Sequence, residues 1–324
     1  MPATNKLRIN TRLTNASVEY KGGSGFVADV IAPVLLVDKQ AGLIMEADKS
    51  NLMVDADGDD RIGQGEEPPT LKGDFSDLTF ATVERARGTT VHDDEVDADN
   101  AEDAPYEVKV RATELATMRL QRNREVRVKT KALAGATGAS PATKWDSGGD
   151  PVADVREQKV IAYNAGVQLN HMVIPWLVVE HLKENAALKD YFKGGATVNN
   201  PALVDVNVLR AIFGIQNIHV ADAHYVSGNM VAGPQSGTVG GIWTDDILMF
   251  YRPERPMRRE LAFMYTYAWR RAFKGAAANA QGQVVTEHYE PRKRTLFIDA
   301  RTYRDEKVLV AAAARKLTNV LAGV

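Results

Sequence analysis

From Pro105 to Leu133 the chain carries one uninterrupted helical pattern, and that feature limits the folds open to it. Pro105 suits the first helical position, where no amide hydrogen is needed, and Glu102 and Asp103 just ahead favour the positive end of the helix dipole. Val108, Ala112, Leu115, Met118, Arg122 and Val126 recur at three- and four-residue spacing and predict one apolar stripe on an otherwise basic rod. Gly135-Ala-Thr-Gly138 ends the pattern. The helix is longer than is usual in globular proteins and has no sustained heptad repeat. It needs a surface to lie across.

Charge is segregated around this helix. Residues 38–103 carry 19 acidic and 6 basic side chains, whereas residues 105–135 carry 8 basic and 3 acidic. The first 25 residues set Lys6, Arg8, Arg12 and Lys21 against Glu19 alone. Opposite-sign blocks suit contacts between copies of one chain, because complementary patches steer association and fix register. Charge counts taken alone favour a plainer reading, in which each block is a solvated face.

At 324 residues, with 44% hydrophobic and 25% charged side chains, the chain can fill two ordinary domains or one large irregular one. The absence of Cys excludes disulfides, thiolate metal sites and cysteine nucleophiles. The first ten residues are polar and basic, so no secretory signal is expected, and runs such as Val30 to Val37 are too short to span a bilayer.

Residues 1–25 lack periodicity and end in Lys21-Gly-Gly-Ser-Gly25, which predicts an arm outside the core. A buried strand is expected over Phe26 to Val37, interrupted by Pro33. Residues 38–82 alternate apolar pieces, Leu43-Ile-Met45 and Leu52-Met-Val54, with acidic turns and Pro68-Pro69. They read as a long hairpin-like excursion, unusual in a compact domain unless it has a task. The second half reads as mixed helix and strand. Asp150-Pro151 caps a helix running to Ala165, Pro175 opens one through Glu184 continued from Ala186 to Phe192, and Pro201 opens one stopped by Gly214. Strands are expected at Gly166 to Leu169, Ile215 to Ala221, Ile247 to Tyr251, Leu261 to Trp269 and Thr295 to Ala300, with a surface loop from Ser227 to Gly241 and an apolar segment at Val308 to Ala314.

The sharpest motif is Asp55-Ala-Asp57-Gly-Asp59-Asp60-Arg-Ile62-Gly-Gln-Gly-Glu66. Asp55, Asp57, Asp59 and Glu66 stand where a calcium-binding EF-hand loop has ligands, and hard carboxylate oxygens at that spacing can wrap one Ca²⁺. Asp60 replaces the glycine of the sharp turn, and Pro68-Pro69 blocks an exiting helix. An exposed acidic turn is therefore the preferred reading. His92-Asp-Asp-Glu-Val-Asp97-Ala-Asp99 reads as a solvated loop, because clustered carboxylates without apolar neighbours rarely have tuned pKa values. His171, His181 and His219 read as structural residues, with no paired ligand spacing. The arginines at 252, 255, 258, 259, 270 and 271, interleaved with Tyr251, Phe263, Tyr265, Tyr267 and Trp269, fit core packing better than stacking on single-stranded nucleic acid. No P-loop, nucleophile elbow or catalytic constellation is present, so no enzyme and no cofactor are expected.

The order of the pieces carries a resemblance. Phe26-Val-Ala-Asp-Val-Ile-Ala-Pro33 follows the arm, then comes the acidic excursion, a strand returning into Val91-His-Asp-Asp-Glu95, and the helix with Leu-Gln-Arg-Asn-Arg-Glu125. Trp145-Asp-Ser-Gly-Gly-Asp150-Pro151, Asn164-Ala-Gly166-Val-Gln-Leu-Asn170 and Leu209-Arg-Ala-Ile-Phe213-Gly-Ile-Gln-Asn-Ile-His-Val220 come next, continued by Gly241-Ile-Trp243 to Pro253. Over nearly its whole length the chain resembles the major capsid proteins of tailed bacteriophages with the HK97-type shell fold, an α+β architecture. The resemblance implies an N-terminal arm (1–25), an extended E-loop (38–82), and a peripheral domain (26–37 and 83–149) with its spine helix at 105–133. It further implies an axial domain (150–280) and a C-terminal return (281–324). Copies would form hexamers and pentamers of an icosahedral shell around double-stranded DNA, contacted non-specifically. A separate scaffolding protein, a portal and a decoration protein are the implied partners, with no membrane, in a virion assembled in the host cytoplasm. Candidate inter-subunit contacts are Lys6, Arg8 and Arg12 in the arm, Lys49, Glu66 and Glu67 in the E-loop, and Arg122, Arg124 and Arg127 on the helix. Lys49 and Lys72 lie where some members carry a crosslinking lysine, but no matching Asn and Glu are found, so no crosslink is expected. An encapsulin-like compartment shell is the alternative within the fold. A calcium-binding surface or adhesion protein and a metal-dependent hydrolase around His92 are the alternatives outside it.

Overall fold

The computed structural model describes residues 8–19, 25–47, 75–94, 104–193, 205–227, 238–255, 262–273 and 282–322. In chain order these form β1 (Arg8–Ile9), α1 (Thr11–Glu19), α2 (Ala28–Ile31), β2 (Val34–Val37), β3 (Ala41–Ala47), β4 (Phe75–Ala81) and β5 (Val83–His92). Then come α3 (Ala104–Gly135), β6 (Thr137–Ala139), α4 (Pro151–Asn164), β7 (His171–Pro175), α5 (Trp176–Glu184), α6 (Ala186–Lys193) and α7 (Val206–Phe213). Strands β8 (Asn217–Ala221), β9 (His224–Ser227), β10 (Thr238–Gly241), β11 (Ile247–Phe250), β12 (Met264–Trp269), β13 (Gln283–Glu290), β14 (Thr295–Val308) and β15 (Ala314–Leu317) complete the order.

Two larger sheets organise the chain. The first runs β1-β13-β14-β12-β2, with β5 paired to the other edge of β14. Residues of β14 alternate between buried and half-buried positions, as a two-faced strand requires. The second sheet runs β6-β15-β11-β7-β8. Its central strand β11, Ile-Leu-Met-Phe, is buried throughout, which fits a strand covered on both faces. Hairpins β3–β4 and β9–β10 each stand as a separate two-stranded sheet.

Helix α3 has 32 residues, about 48 Å at 1.5 Å per residue, and confirms the helix expected at 105–133. The stripe that it buries differs from the expected one. Ala112, Thr113, Ala116, Thr117, Leu120, Val128 and Ala132 are buried, whereas Leu115 and Val126 are 37% and 42% exposed. Small side chains let the helix approach the sheet closely, so the contact stripe is only weakly hydrophobic. Its first half covers the first sheet around Leu13, Val91, Val285 and Ile298, and its last turns enter the large core of the second sheet.

The expectation of an arm outside the core is corrected for residues 8–19. Asn10 Oδ1 accepts from the Leu13 amide at 3.1 Å and starts α1, and Leu13 is fully buried among Val91, Ala112, Val285 and Ile298. Ser17 and Thr117 share a hydrogen bond of 2.6 Å, which ties α1 to α3. The strand expected over 26–37 is also divided. Residues 28–31 make a helical turn, and pairing begins only after Pro33, which has no amide hydrogen to donate.

The helix boundaries expected in the second half hold at α4, where Asp150 caps the Val152 and Ala153 amides, and at α7, where Gly214 takes φ +58°. That left-handed conformation is one a β-carbon disfavours. Residues 201–204 lie outside the described residues, and α7 itself starts after Asp205. No strand forms at Gly166 to Leu169; it starts at His171. Within the expected loop 227–241, residues 238–241 pair back onto 224–227 as β10 and β9. The two sheets draw on segments from both sides of residues 149 and 280. β6 and the buried Trp145 belong with the second sheet, whereas β12 lies in the first. The C-terminal segment serves both, through β13 and β14 in one and β15 in the other.

Candidate inter-subunit surfaces

Two of the three helix arginines expected to face a partner turn inward. Arg124, buried on α3, pairs with Asp29, and its Nη2 donates to the Ala32 carbonyl at 3.0 Å and to Thr266 Oγ1 at 3.3 Å. Arg127 donates to Glu306 Oε1 through Nη2 at 3.0 Å and through Nε at 3.3 Å, and Lys131 reaches Glu306 Oε2 at 3.3 Å. Burial opposes ionisation of Glu306, but the guanidinium and ammonium beside it outweigh burial and hold its pKa down to about 2. Arg304, buried next to this group, is pushed down to about 9 by burial, with Arg124 adding and Asp29 and Glu306 opposing. These charges clamp α2, α3, β12 and β14 within one subunit. Arg122 is half-buried, and its Nε has no hydrogen-bond partner.

Glu125 adds a second internal clamp. Its buried carboxylate accepts from the Val27 amide at 3.2 Å, the Ala28 amide at 2.8 Å and Trp243 Nε1 at 2.9 Å. Burial nevertheless raises its pKa above the ordinary value, the three donors opposing. The Trp243 and Phe26–Ala28 segments singled out in the sequence are thus held by one side chain.

Of the arm candidates, Arg8 is exposed on β1 across from Glu287, and Arg12 is exposed on α1. Lys6, Lys49, Glu66, Glu67 and the motif with Asp55, Asp57 and Asp59 lie outside the described residues. His92 Nδ1 lies 2.9 Å from Thr295 Oγ1. His171 and His219, on neighbouring strands, share a hydrogen bond of 3.0 Å between Nδ1 and Nε2, with parallel rings. Burial, His219 and Arg252 push His171 down to about 4. Phe263, Tyr265 and Tyr267 are buried, so they pack the interior, and Phe80 stacks on Tyr267 at 4.9 Å. Among the described residues no group of three or more His, Asp or Glu is placed to hold a metal ion. None of the described helices is long and apolar enough to cross a membrane.

The surfaces that sequence reasoning missed are apolar. Leu43 on β3 is 66% exposed, and Val226 and Val239, directly opposite each other across β9–β10, are 56% and 65% exposed. An isolated two-stranded hairpin is marginal in water, and a cross-strand apolar pair on its surface is stabilised by a partner that covers it. The signal was present as β-branched residues on both sides of a glycine-rich stretch.

The whole-chain architecture has counterparts among solved structures. A phage-related protein from Bordetella bronchiseptica superposes with a TM-score of 0.70 at 16% identity, covering 98% of this chain and 99% of that one. The mature capsid of bacteriophage PhiM1 gives a TM-score of 0.52 at 10% identity, over 89% of this chain and 86% of that one. The chain has the HK97-type capsid fold. An encapsulin complex from Synechococcus elongatus shares this capsid fold, with a TM-score of 0.53 at 11% identity over 98% of this chain and 92% of that one. No protein-family model and no curated protein matches the sequence.

Proposed function

We propose that the chain is the major capsid protein of a tailed phage, a structural subunit that assembles with copies of itself into an icosahedral head around double-stranded DNA. The observation that carries this reading is the superposition on a phage-related protein across almost the full length of both chains. The β9–β10 hairpin agrees with it, since an exposed apolar ribbon is stabilised in a repeated lattice and not in an isolated globule. In this reading β3–β4 with residues 48–74 is the E-loop reaching over a neighbour. The first sheet with α3 is the peripheral part, the second sheet with α4 to α7 is the axial part, and hexamers and pentamers are the assembled units. Scaffolding, portal and decoration proteins would be its partners, and the virion its location. Arg8 and Arg12 remain candidate contacts from the arm, with Lys6, Lys49, Glu66, Glu67 and Arg122.

An encapsulin-like compartment is the second reading, favoured by the encapsulin match at a TM-score of 0.53 over 98% of the chain. Purified particles distinguish the two. Nuclease-protected DNA inside them supports the phage head, and a co-purifying cargo enzyme with no DNA supports the compartment.

A further inference from the structure

Strand β8 is the outer strand of the second sheet, and among the described residues it pairs with β7 alone. The pairing is parallel, with His171 opposite Asn217 and Val173 opposite His219, so His171, Asn217 and His219 share one face. Just past its end the chain enters β9, so β8 also carries the root of the β9–β10 ribbon.

His171 Nδ1 and His219 Nε2 are 3.0 Å apart, with ring centroids 5.3 Å apart and planes 5° from parallel. That centroid separation is close to the largest that such a nitrogen contact allows. The rings therefore meet edge to edge, with the two nitrogens pointing at each other. One hydrogen fits on that line, and two do not. A metal ion does not fit either, because two imidazoles in line across one ion stand about 4 Å apart. The Asn217 amide lies 3.5 Å from His171 Nε2. This contact suits a proton on Nε2 with the amide oxygen turned towards it, which leaves Nδ1 as the acceptor and His219 Nε2 as the donor.

The charges that act on the pair are cationic. Arg252 acts on both rings, and Arg210 of α7 acts on His219. Arg252 is fixed in place: its amide donates to Asn170 Oδ1 at 2.9 Å, its carbonyl accepts from Asn170 Nδ2 at 2.6 Å, and its Nη1 donates to the Val30 carbonyl at 3.2 Å. Phe250 of β11 lies against His171 at 5.5 Å between centroids. Strands β7, β8 and β11 carry no other ionisable side chain. Helix α5 also packs against β7 and β8, and its Glu180, His181, Lys183 and Glu184 are not among the groups that act on the rings. A second proton on the pair thus meets no compensating carboxylate among the described residues. Burial first, then His219 and Arg252, hold His171 down to about 4, against 6.5 for an ordinary imidazole. Stability from the neutral pair is therefore complete above 6.5 and is lost as pH falls towards about 4.

We infer that His171 and His219 form an acid-sensitive latch at the edge of the second sheet: one shared proton holds β8 against β7, and a second drives the strands apart and loosens the root of the β9–β10 ribbon. The latch belongs to the subunit and does not depend on what the chain assembles into. Hydrogen exchange of the full chain from pH 7 to pH 4, corrected for intrinsic rates, tests it beside a His219→Gln chain. Gln still donates to His171 and takes up no proton. In the unaltered chain β8 and β9 should lose protection at least about tenfold relative to β11, and in His219→Gln less than about threefold. Equal loss in both chains, or no loss in either, overturns the inference and leaves the shell reading untouched. Loss in β8 with β9 unchanged overturns the link to the ribbon. Should His219→Gln not fold, an NMR titration of the imidazole nitrogens in the unaltered chain decides. The second proton should arrive together with the loss of β8 protection, and a pair that takes it up with β8 still protected contradicts the latch.

Discussion

Glu306 shows how a basic helix can be an internal element. Its carboxylate, with no side-chain exposure, is met by Arg127 and Lys131, and removing one partner from a buried pair leaves the others uncompensated. Glu306→Gln should therefore cost roughly 3–5 kcal/mol in a denaturant titration of the subunit. The pH dependence follows from the depressed pKa. Stability from Glu306 is complete above the unfolded carboxylate value of 4.5 and is lost as pH falls towards about 2. Glu125 acts in the opposite sense. Its folded pKa is raised, so its contribution is complete below 4.5 and is lost as pH rises through the folded value. A subunit titrated from pH 5 to pH 2 should lose stability in the unaltered chain, and this loss should be much smaller in Glu306→Gln. Neither role was legible in the sequence, because Arg124 and Arg127 find their acids 95 and 179 positions away. Locally they look like solvated charges.

At the scale of elements, the sequence showed length and ends better than faces. The long helix, the Asp150 cap and the Gly214 stop were legible because each depends on a few adjacent residues. The contact stripe of α3 was not, because a helix lying close on a sheet uses Ala112, Ala116 and Thr117, which a search for large apolar residues passes over. Strand β13 was missed because Glu287, His288 and Glu290 interrupt its apolar run. Helix α1 lies in a segment whose composition predicts a free arm, yet Leu13 is fully buried. Leu13→Ala should accordingly destabilise the subunit itself, by roughly 2–5 kcal/mol in thermal or urea unfolding, and not merely weaken assembly. The β9–β10 hairpin should behave in the reverse way. Replacing Val226 and Val239 together by Ser should change subunit stability by no more than about 0.5 kcal/mol each, yet reduce particle yield in sedimentation. A large loss of subunit stability would show that the pair packs within its own chain.

For the whole molecule, the two sheets and their shared core account for a folded subunit, and the exposed β9–β10 ribbon is a surface that the proposed shell would cover. The succession of arm, acidic excursion and long basic helix made the fold legible from sequence. It did not reveal how the chain crosses between the sheets, since strands such as β6, β12 and β15 take their places by pairing with distant segments. Association between charged blocks is screened by salt, so assembly should weaken as ionic strength rises from 0.01 M, where charges act over about 30 Å, to 1 M, where they act over about 3 Å. The central claim is that copies of this chain close into a shell. Electron microscopy of the purified protein across low and moderate salt tests it most directly. Closed particles or ring-shaped capsomers are the predicted result, and a chain that stays monomeric under every condition would contradict the account.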